Sequence, residues 1–261
     1  TKKPERKRLF LIDGYALLYR AHFAMISNPL INSKGQHTSA LFGFLNQVFR
    51  LLKVENPDYL VAAFDAKEKT FRHKKYPEYK ATREKMPDEI QSQLEYLWEL
   101  LDVLNIPRIV KPGFEADDII GTLTKKGEEA GLDVYIVSGD KDFMQLINEH
   151  VFLYAPSGRR GEIKIYDPQS VEEKWGIPPE KMIDMLGLMG DSSDNVPGVS
   201  GVGKKSAQKL LMEYGSLEAA LENAENVSNK RVRNGLLEGR ENAILSKDLV
   251  TIVTVQHIDQ Y

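Results

Sequence analysis

Nine acidic side chains of this 261-residue sequence stand at positions where carboxylates can do chemistry together. Three apolar runs each lead to an aspartate: Leu9–Ile12 to Asp13, Tyr59–Phe64 to Asp65, and Val134–Val137 through Ser138 and Gly139 to Asp140. Asp142 follows in Ser138-Gly-Asp-Lys-Asp-Phe143. Glu115-Ala-Asp-Asp118 opens a predicted helix and adds Glu115, Asp117 and Asp118. Gly190-Asp-Ser-Ser-Asp-Asn195 adds Asp191 and Asp194 on one predicted turn. Crowded carboxylates repel and raise one another's pKa. Hard divalent cations remove that repulsion, and ligation by oxygen alone suits magnesium or manganese. Two such ions about 4 Å apart can activate a water and stabilise the leaving oxygen in phosphodiester hydrolysis. That chemistry needs neither a histidine base nor a covalent nucleophile. The chain has no cysteine and only five scattered histidines, which excludes thiolate zinc, disulfides and cysteine catalysis.

Each acidic piece has an ordinary explanation alone. An aspartate at a strand end often caps a helix, and Glu115–Asp118 could serve the dipole of the helix it opens. Asp191 and Asp194 could shape a turn. Capping needs do not explain all of them falling at element boundaries at once.

Positive charge is concentrated elsewhere. The net charge is −3, yet residues 66–87 carry eight Lys and Arg against three Glu, a local +5, leaving −8 for the rest. Within that segment Thr70-Phe-Arg-His-Lys-Lys-Tyr-Pro-Glu-Tyr-Lys-Ala-Thr-Arg83 mixes cations with rings. Cations neutralise phosphates and rings stack on unpaired bases. Lys80 and Arg83 are three apart, so on a helical turn they would face one phosphate. The charge density and lack of apolar periodicity predict a mobile segment. Farther on, Pro197-Gly-Val-Ser-Gly-Val-Gly-Lys-Lys-Ser-Ala207 is a glycine turn that opens a helix. Backbone N–H groups of Gly201 and Gly203, with Lys204, Lys205 and Lys209, would form an anion site that grips a duplex backbone without reading sequence. The preceding element is helical, so this is neither a Walker loop nor a dinucleotide fingerprint.

The elements that must position these groups follow from periodicity. Buried strands at 9–13, 59–65, 107–110 and 134–140 alternate with helices at 15–24, 39–53, 88–104 and 115–130. A hairpin, 151–154 with 162–166 around Ser157–Gly161, closes one edge. Alternation implies an α/β fold, a mostly parallel sheet with helices on both faces, which places groups at strand carboxyl ends. Past about residue 168 only helices are predicted, at 168–175, 179–189, 203–214, 216–224 and 229–248. The reading is an α/β domain over 1–177 and a helical module over 178–261. No apolar run reaches the length of a membrane span, and no signal-peptide pattern opens the sequence, so a cytoplasmic protein is expected.

Taken together, these residues resemble the 5′-nuclease (flap endonuclease) family, most closely the N-terminal 5′–3′ exonuclease domains of bacterial DNA polymerase I. The resemblance rests on Phe10-Leu-Ile-Asp-Gly14, Phe64-Asp-Ala-Lys67, Thr70-Phe-Arg72, Glu115–Leu123, Gly139-Asp-Lys-Asp142 and Leu188–Gly203, the last being the most specific. It implies a PIN-like sheet with a helix–three-turn–helix DNA-binding module, acting on 5′ flaps, nicks and 5′ ends of DNA and on RNA-primed strands. It implies two magnesium ions: Asp13, Asp65, Glu115, Asp117, Asp118 and Asp140 as one ligand set, and Asp140, Asp142, Asp191 and Asp194 as the other, with Asp140 bridging. It makes segment 66–87 an arch or clamp, with Tyr79, Lys80 and Arg83 at functional positions and Arg20 and Arg72 as further phosphate contacts. A potassium ion on the carbonyls of the glycine hairpin, at Val199 and Val202, also follows from it. So do a monomeric, nucleoid-associated protein and the question of a polymerase domain outside these residues. Two rivals stay open: a PIN-type ribonuclease, which would need neither segment 66–87 nor the hairpin, and a non-catalytic binder of DNA structure.

Overall fold

The computed structural model describes residues 6–157 and 162–254. Its elements are β1 (Arg8–Asp13), α1 (Gly14–Ala24), α2 (Ser39–Arg50), β2 (Tyr59–Phe64), α3 (Phe71–Lys75), α4 (Asp88–Gln91), α5 (Leu94–Val103), β3 (Arg108–Val110), α6 (Ala116–Glu129), β4 (Asp133–Val137), β5 (Val151–Ser157) and β6 (Glu162–Tyr166). Helices α7 (Pro168–Trp175), α8 (Met182–Met189), α9 (Lys204–Tyr214), α10 (Leu217–Glu222), α11 (Lys230–Glu238) and α12 (Arg240–Val250) follow. One six-stranded sheet has the order β3-β2-β1-β4-β5-β6. Every pair is parallel except β5 with β6, the predicted edge hairpin. Positions 158–161 of that hairpin's turn lie outside the described residues.

Chain order reverses at β1, which pairs with β2 on one side and β4 on the other. The crevice outside the carboxyl ends at such a switch point is where open α/β sheets bind ligands. Asp13 closes β1, and Asp140 lies three residues past the end of β4. Alternation along each strand fills both faces. Phe10, Ile12, Ala62 and Phe64 pack with α1, α2, α4 and α5 through Leu17, Leu18, Phe44, Ile90 and Leu97. On the other face Leu9, Leu11, Val134 and Ile136 pack against Ile119 and Ile120 of α6. That second core continues through Met144, Met182 and Leu186 to Leu210 and Leu249. The helices beyond residue 177 therefore share an apolar core with the sheet.

Two predicted helices are divided. The one over 88–104 breaks at Ser92 and Gln93, where Gln93 turns inward: its Oε1 accepts from Leu41 N–H at 2.9 Å and its Nε2 donates to the Glu89 carbonyl at 2.6 Å. The one over 229–248 divides at Gly239. A Cβ there would sit 2.7 Å from the Gly235 carbonyl, so the chain turns where only glycine fits. Among the described residues, no helix is long and apolar enough to cross a membrane.

Candidate metal and nucleic-acid site

The carboxylates meet at the switch point, and each is held by the element that delivers it. Asp13 N-caps α1, accepting from Ala16 N–H at 3.3 Å, while Ser138 Oγ donates to its other oxygen at 2.8 Å. Ser138 Oγ also accepts from Asp140 N–H at 3.1 Å, so one hydroxyl ties the ends of β1 and β4 together. Asp140 in turn caps the short 3-10 turn at 141–146 by accepting from Asp142 N–H at 2.9 Å. Asp65 accepts from Ala116 N–H at 2.8 Å, fixing α6 against the end of β2. The caps that could have been the whole role of these residues are real, and most leave an oxygen facing the crevice.

Two clefts are lined by six of the nine acidic groups. One, of about 420 Å³, is lined by Asp13, Asp65, Asp117 and Asp140. The other, of about 280 Å³, is lined by Asp140, Asp191 and Asp194 with Lys141 and Ser193. Asp140 and Arg83 line both. Burial, then Asp65 and Asp140 nearby, pushes the Asp13 carboxyl up to about 7. Burial and Asp140 push Asp142 up to about 7, against the pull of Lys141. Asp117 is raised well above the ordinary range by burial, Asp140 and Asp13. The Asp142 Oδ1 is buried with no hydrogen bond. Desolvated, mutually repelling oxygens of this kind suit a hard divalent cation. Among the described residues, however, no three acidic or imidazole groups converge on one point as they stand. Cations from the protein lie among them instead.

Those cations come mostly from residues 66–87, which contact the site through backbone and side chains. Phe71 N–H donates to the Gly113 carbonyl at 3.2 Å, Lys80 N–H to the Asp194 carbonyl at 2.8 Å, and Asn195 Nδ2 to the Glu78 carbonyl at 2.8 Å. Lys80 holds a left-handed backbone, φ +56°, a strain that persists only where surroundings enforce it. Its ammonium reaches Glu115 at 2.9 Å and Asp194 at 3.8 Å. Arg83 pairs with Asp194 through Nε at 2.9 Å and again through Nη2. Tyr79 is buried, and its single hydroxyl proton is shared between Glu115 at 3.0 Å and Asp194 at 3.3 Å. Burial and the two carboxylates raise the Tyr79 pKa, so it remains a donor. Lys141 pairs with Asp191 and lies 3.4 Å from Asp142. Burial works against the Asp191 charge, yet Lys141 holds its pKa below the usual range. The charge density that suggested mobility is matched here by opposite charges within the segment's reach, on Glu115, Asp194 and Asp248.

Four expected site residues are placed elsewhere. Arg72, expected to meet phosphate, is 2% exposed. Its guanidinium makes a bidentate pair with Asp118 at 2.7 and 2.8 Å, reaches Glu115 at 3.3 Å, and donates to the Leu249 and Thr251 carbonyls at 2.8 and 2.7 Å. Asp118, expected with the metal ligands, spends both oxygens on Arg72 and accepts from Glu115 and Val253 N–H groups at 3.1 Å each. Lys204 lies over the Trp175 ring, 4.3 Å from its centroid, and donates to the Lys174 carbonyl at 2.7 Å. Arg20 is exposed on α1 beside a separate depression shared with Phe23 and Phe42 and does not line the carboxylate clefts. Lys205 is exposed at the start of α9.

The glycine hairpin is as tight as its sequence implies. Gly190, Gly198 and Gly201 take φ of +70°, +61° and +79°. A Cβ on Gly198 would meet the Gly190 nitrogen, so the two glycines let the arms of the turn touch. The Val199 carbonyl accepts from Val202 N–H at 3.0 Å. Sequence reasoning missed Ser138, Lys141 and the ring series Tyr15, Tyr19 and Phe23, which lines the 420 Å³ cleft from one face of α1. Their spacing of four was the available signal.

Comparison with known proteins agrees with this geometry. Residues 8–176 match the 5′-3′ exonuclease N-terminal resolvase-like domain, and residues 177–260 match the 5′-3′ exonuclease C-terminal SAM fold. The chain is 46% identical over 251 residues to DNA polymerase I of Bacillus subtilis, covering 96% of this chain and 28% of that protein. It is 40% identical to DNA polymerase I of Deinococcus radiodurans, covering 96% of this chain and 26% of that protein. The chain thus spans under a third of the length of these relatives. In fold it is similar to bacteriophage T5 5′-exonuclease with bound zinc, with a TM-score of 0.77, 22% identity and coverage of 94% and 89% of the two chains. It is also similar to the catalytic core of Rad2 in complex with DNA substrate, with a TM-score of 0.59, 21% identity and coverage of 97% and 81%. With both family domains matched end to end and the acidic clefts at the switch point of the sheet, the chain belongs to the 5′-3′ exonuclease family.

Proposed function

We propose that this chain cuts DNA phosphodiesters at 5′ flaps, nicks and 5′ ends, including RNA-primed strands, with the help of two divalent ions, magnesium or manganese. The observation that carries the reading is the pair of acidic clefts sharing Asp140 and Arg83. Asp13, Asp65, Asp117 and Asp140 would hold one ion, with Glu115 behind Lys80; Asp140, Asp142, Asp191 and Asp194 would hold the other. When bound, such ions supply an activated water and neutralise charge on the leaving oxygen. Asp118 stands behind this set and orients Glu115 through its capping bond and Arg72. Lys80 and Arg83 now neutralise Glu115 and Asp194, and they are the groups placed to transfer their charge to a phosphate at the shared edge. Tyr79 fixes Glu115 and Asp194 relative to each other. The rings of Tyr15, Tyr19 and Phe23 offer stacking faces to an unpaired strand.

The hairpin over 197–207, with Gly201, Gly203 and Lys205, would hold duplex backbone, and a potassium ion on the Val199 and Val202 carbonyls would reinforce it. Asp191 and Asp194 lie a few positions before this turn, so gripping the duplex and filling the second cleft become one event. We further propose a monomer working beside the nucleoid in the cytoplasm. The test is cleavage of a 5′-flapped duplex with magnesium or with chelator, beside a plain single-stranded RNA. Flap cleavage that needs the metal, lost in Asp140→Ala with flap binding kept, is expected. Near-normal cutting by Asp140→Ala, or preference for the plain RNA, would overturn the reading.

A further inference from the structure

Two groups of cations in this protein contrast in how they are paired. Lys80, Arg83 and Lys141 are each neutralised by a carboxylate of the clefts. Around the glycine hairpin the pattern is the opposite. Lys205, Lys209, Lys230 and Arg231 are exposed, and among the described residues none of them makes an ion pair. Two of these four, Lys230 and Arg231, belong to α11, an element that the sequence motifs did not single out.

Helix α11 is built against the hairpin by two close approaches. Gly235 faces the Ser200 carbonyl so tightly that a Cβ would overlap it, with Val199 Cγ1 3.3 Å away. About one turn earlier, the aliphatic stem of Arg231 lies across Gly201, where a Cβ would come within 2.9 Å of its Cγ and 3.0 Å of its Nε. The Asn229 side chain caps this end of the helix, accepting from Arg231 and Val232 N–H groups at 3.0 and 3.2 Å. A long cationic side chain is thus laid over the tip of the turn, its stem packed and its charge left to solvent. Arginine held this way, with no carboxylate to satisfy it, suits bidentate contact with a phosphate.

We infer that α11 is a second arm of the duplex grip, with Arg231 and Lys230 contacting backbone phosphates beside those reached from the hairpin and Lys205. This rests on the hairpin's proposed role and adds a contact surface to it. Contacts of this kind carry no sequence information; they set register and weaken with salt.

The test is binding of a fluorescent 5′-flapped duplex and of a blunt duplex to the whole chain across a salt series, using Lys230→Ala/Arg231→Ala, Arg231→Ala and Arg231→Lys. Each lost phosphate contact should lower the slope of log affinity against log salt by about one. The double variant should weaken binding about tenfold or more to both duplexes alike, with the slope reduced by about two. Arg231→Lys keeps stem and charge and should recover most of the loss, which a merely damaged fold would not. Unchanged affinity and slope in the double variant, while wild type binds the flap, would overturn the second arm alone. Failure of the wild-type chain to bind either duplex would overturn the hairpin reading beneath it.

Discussion

Asp117 and Asp118 are neighbours in the first turn of one helix, and their surroundings have made them different groups. Adjacent helical residues point about 100° apart, so one turns toward the crevice and the other toward the body of the protein. Asp117 faces Asp13 and Asp140, and burial with those charges raises its pKa well above the ordinary range. Asp118 is fully buried, yet each of its oxygens accepts two hydrogen bonds. The pair separates two uses of a buried carboxylate. Left among like charges, it favours a cation from outside; given a guanidinium, it becomes structure. The second use also binds distant parts of the chain. Arg72 comes from the basic segment, Asp118 from α6, and the Leu249 and Thr251 carbonyls from the end of α12 and just beyond.

The largest effect should come from breaking the Arg72–Asp118 knot. Removing one partner of a buried, hydrogen-bonded pair leaves the other charged and unmatched, at a cost of about 3–5 kcal/mol. Arg72→Met should therefore lower unfolding stability by about that amount in urea titration. Adding Asp118→Leu should restore part of it, because the lone carboxylate goes too. Recovery stays incomplete, since the Leu249 and Thr251 carbonyls and the Val253 N–H would still lack partners. A loss confined to DNA affinity, with stability unchanged, would return Arg72 to the role of a phosphate contact.

Asp117→Asn should do the reverse. The substitution removes one of the repelling charges, so melting temperature in chelator should hold or rise. Flap cleavage should fall by about 10²–10³-fold, the scale seen when one pre-organised electrostatic group is lost. If Asp117→Asn cuts normally while Asp118→Asn keeps its stability and does not cut, the two carboxylates have been assigned the wrong way round.

This contrast also marks how far the sequence could be read. Alternating strands and helices, the sheet's parallel character and the gathering of acids at strand ends all follow from local patterns, because strand-end aspartates inherit their direction from the strand. Whether an aspartate faces the crevice or the interior depends on partners far along the chain, 46 residues away in the case of Arg72 and Asp118. The Glu-Ala-Asp-Asp motif looks the same in either case. Long side chains are harder still. Lys204 sits at the expected end of the hairpin but spends its charge on the Lys174 carbonyl over Trp175, a contact that arises only when α7 packs nearby. Residues 66–87 read as unpartnered charge because the carboxylates that hold them are supplied by Glu115, Asp194 and Asp248.

The smallest effect expected is a pH dependence that only the open carboxylates should show. Asp13 and Asp142 are pushed up to about 7, first by burial and then by neighbouring charge. Between the unfolded aspartate value and about 7 the folded protein therefore holds protons that the unfolded chain has released. By linkage, their contribution to stability falls as pH rises through that window. A divalent cation binds the ionised form and must displace those protons at the acidic end. The gain in melting temperature on adding magnesium should thus be larger at pH 8 than at pH 6, by a few degrees, measured by calorimetry with chelator as reference. Asp117→Asn should shrink that difference, because one of the repelling partners is gone. Asp118→Asn should lower both melting temperatures and leave the difference between them in place. Equal shrinkage in the two variants would mean that the knot and the crevice titrate as one cluster, and the distinction between the neighbours would be lost.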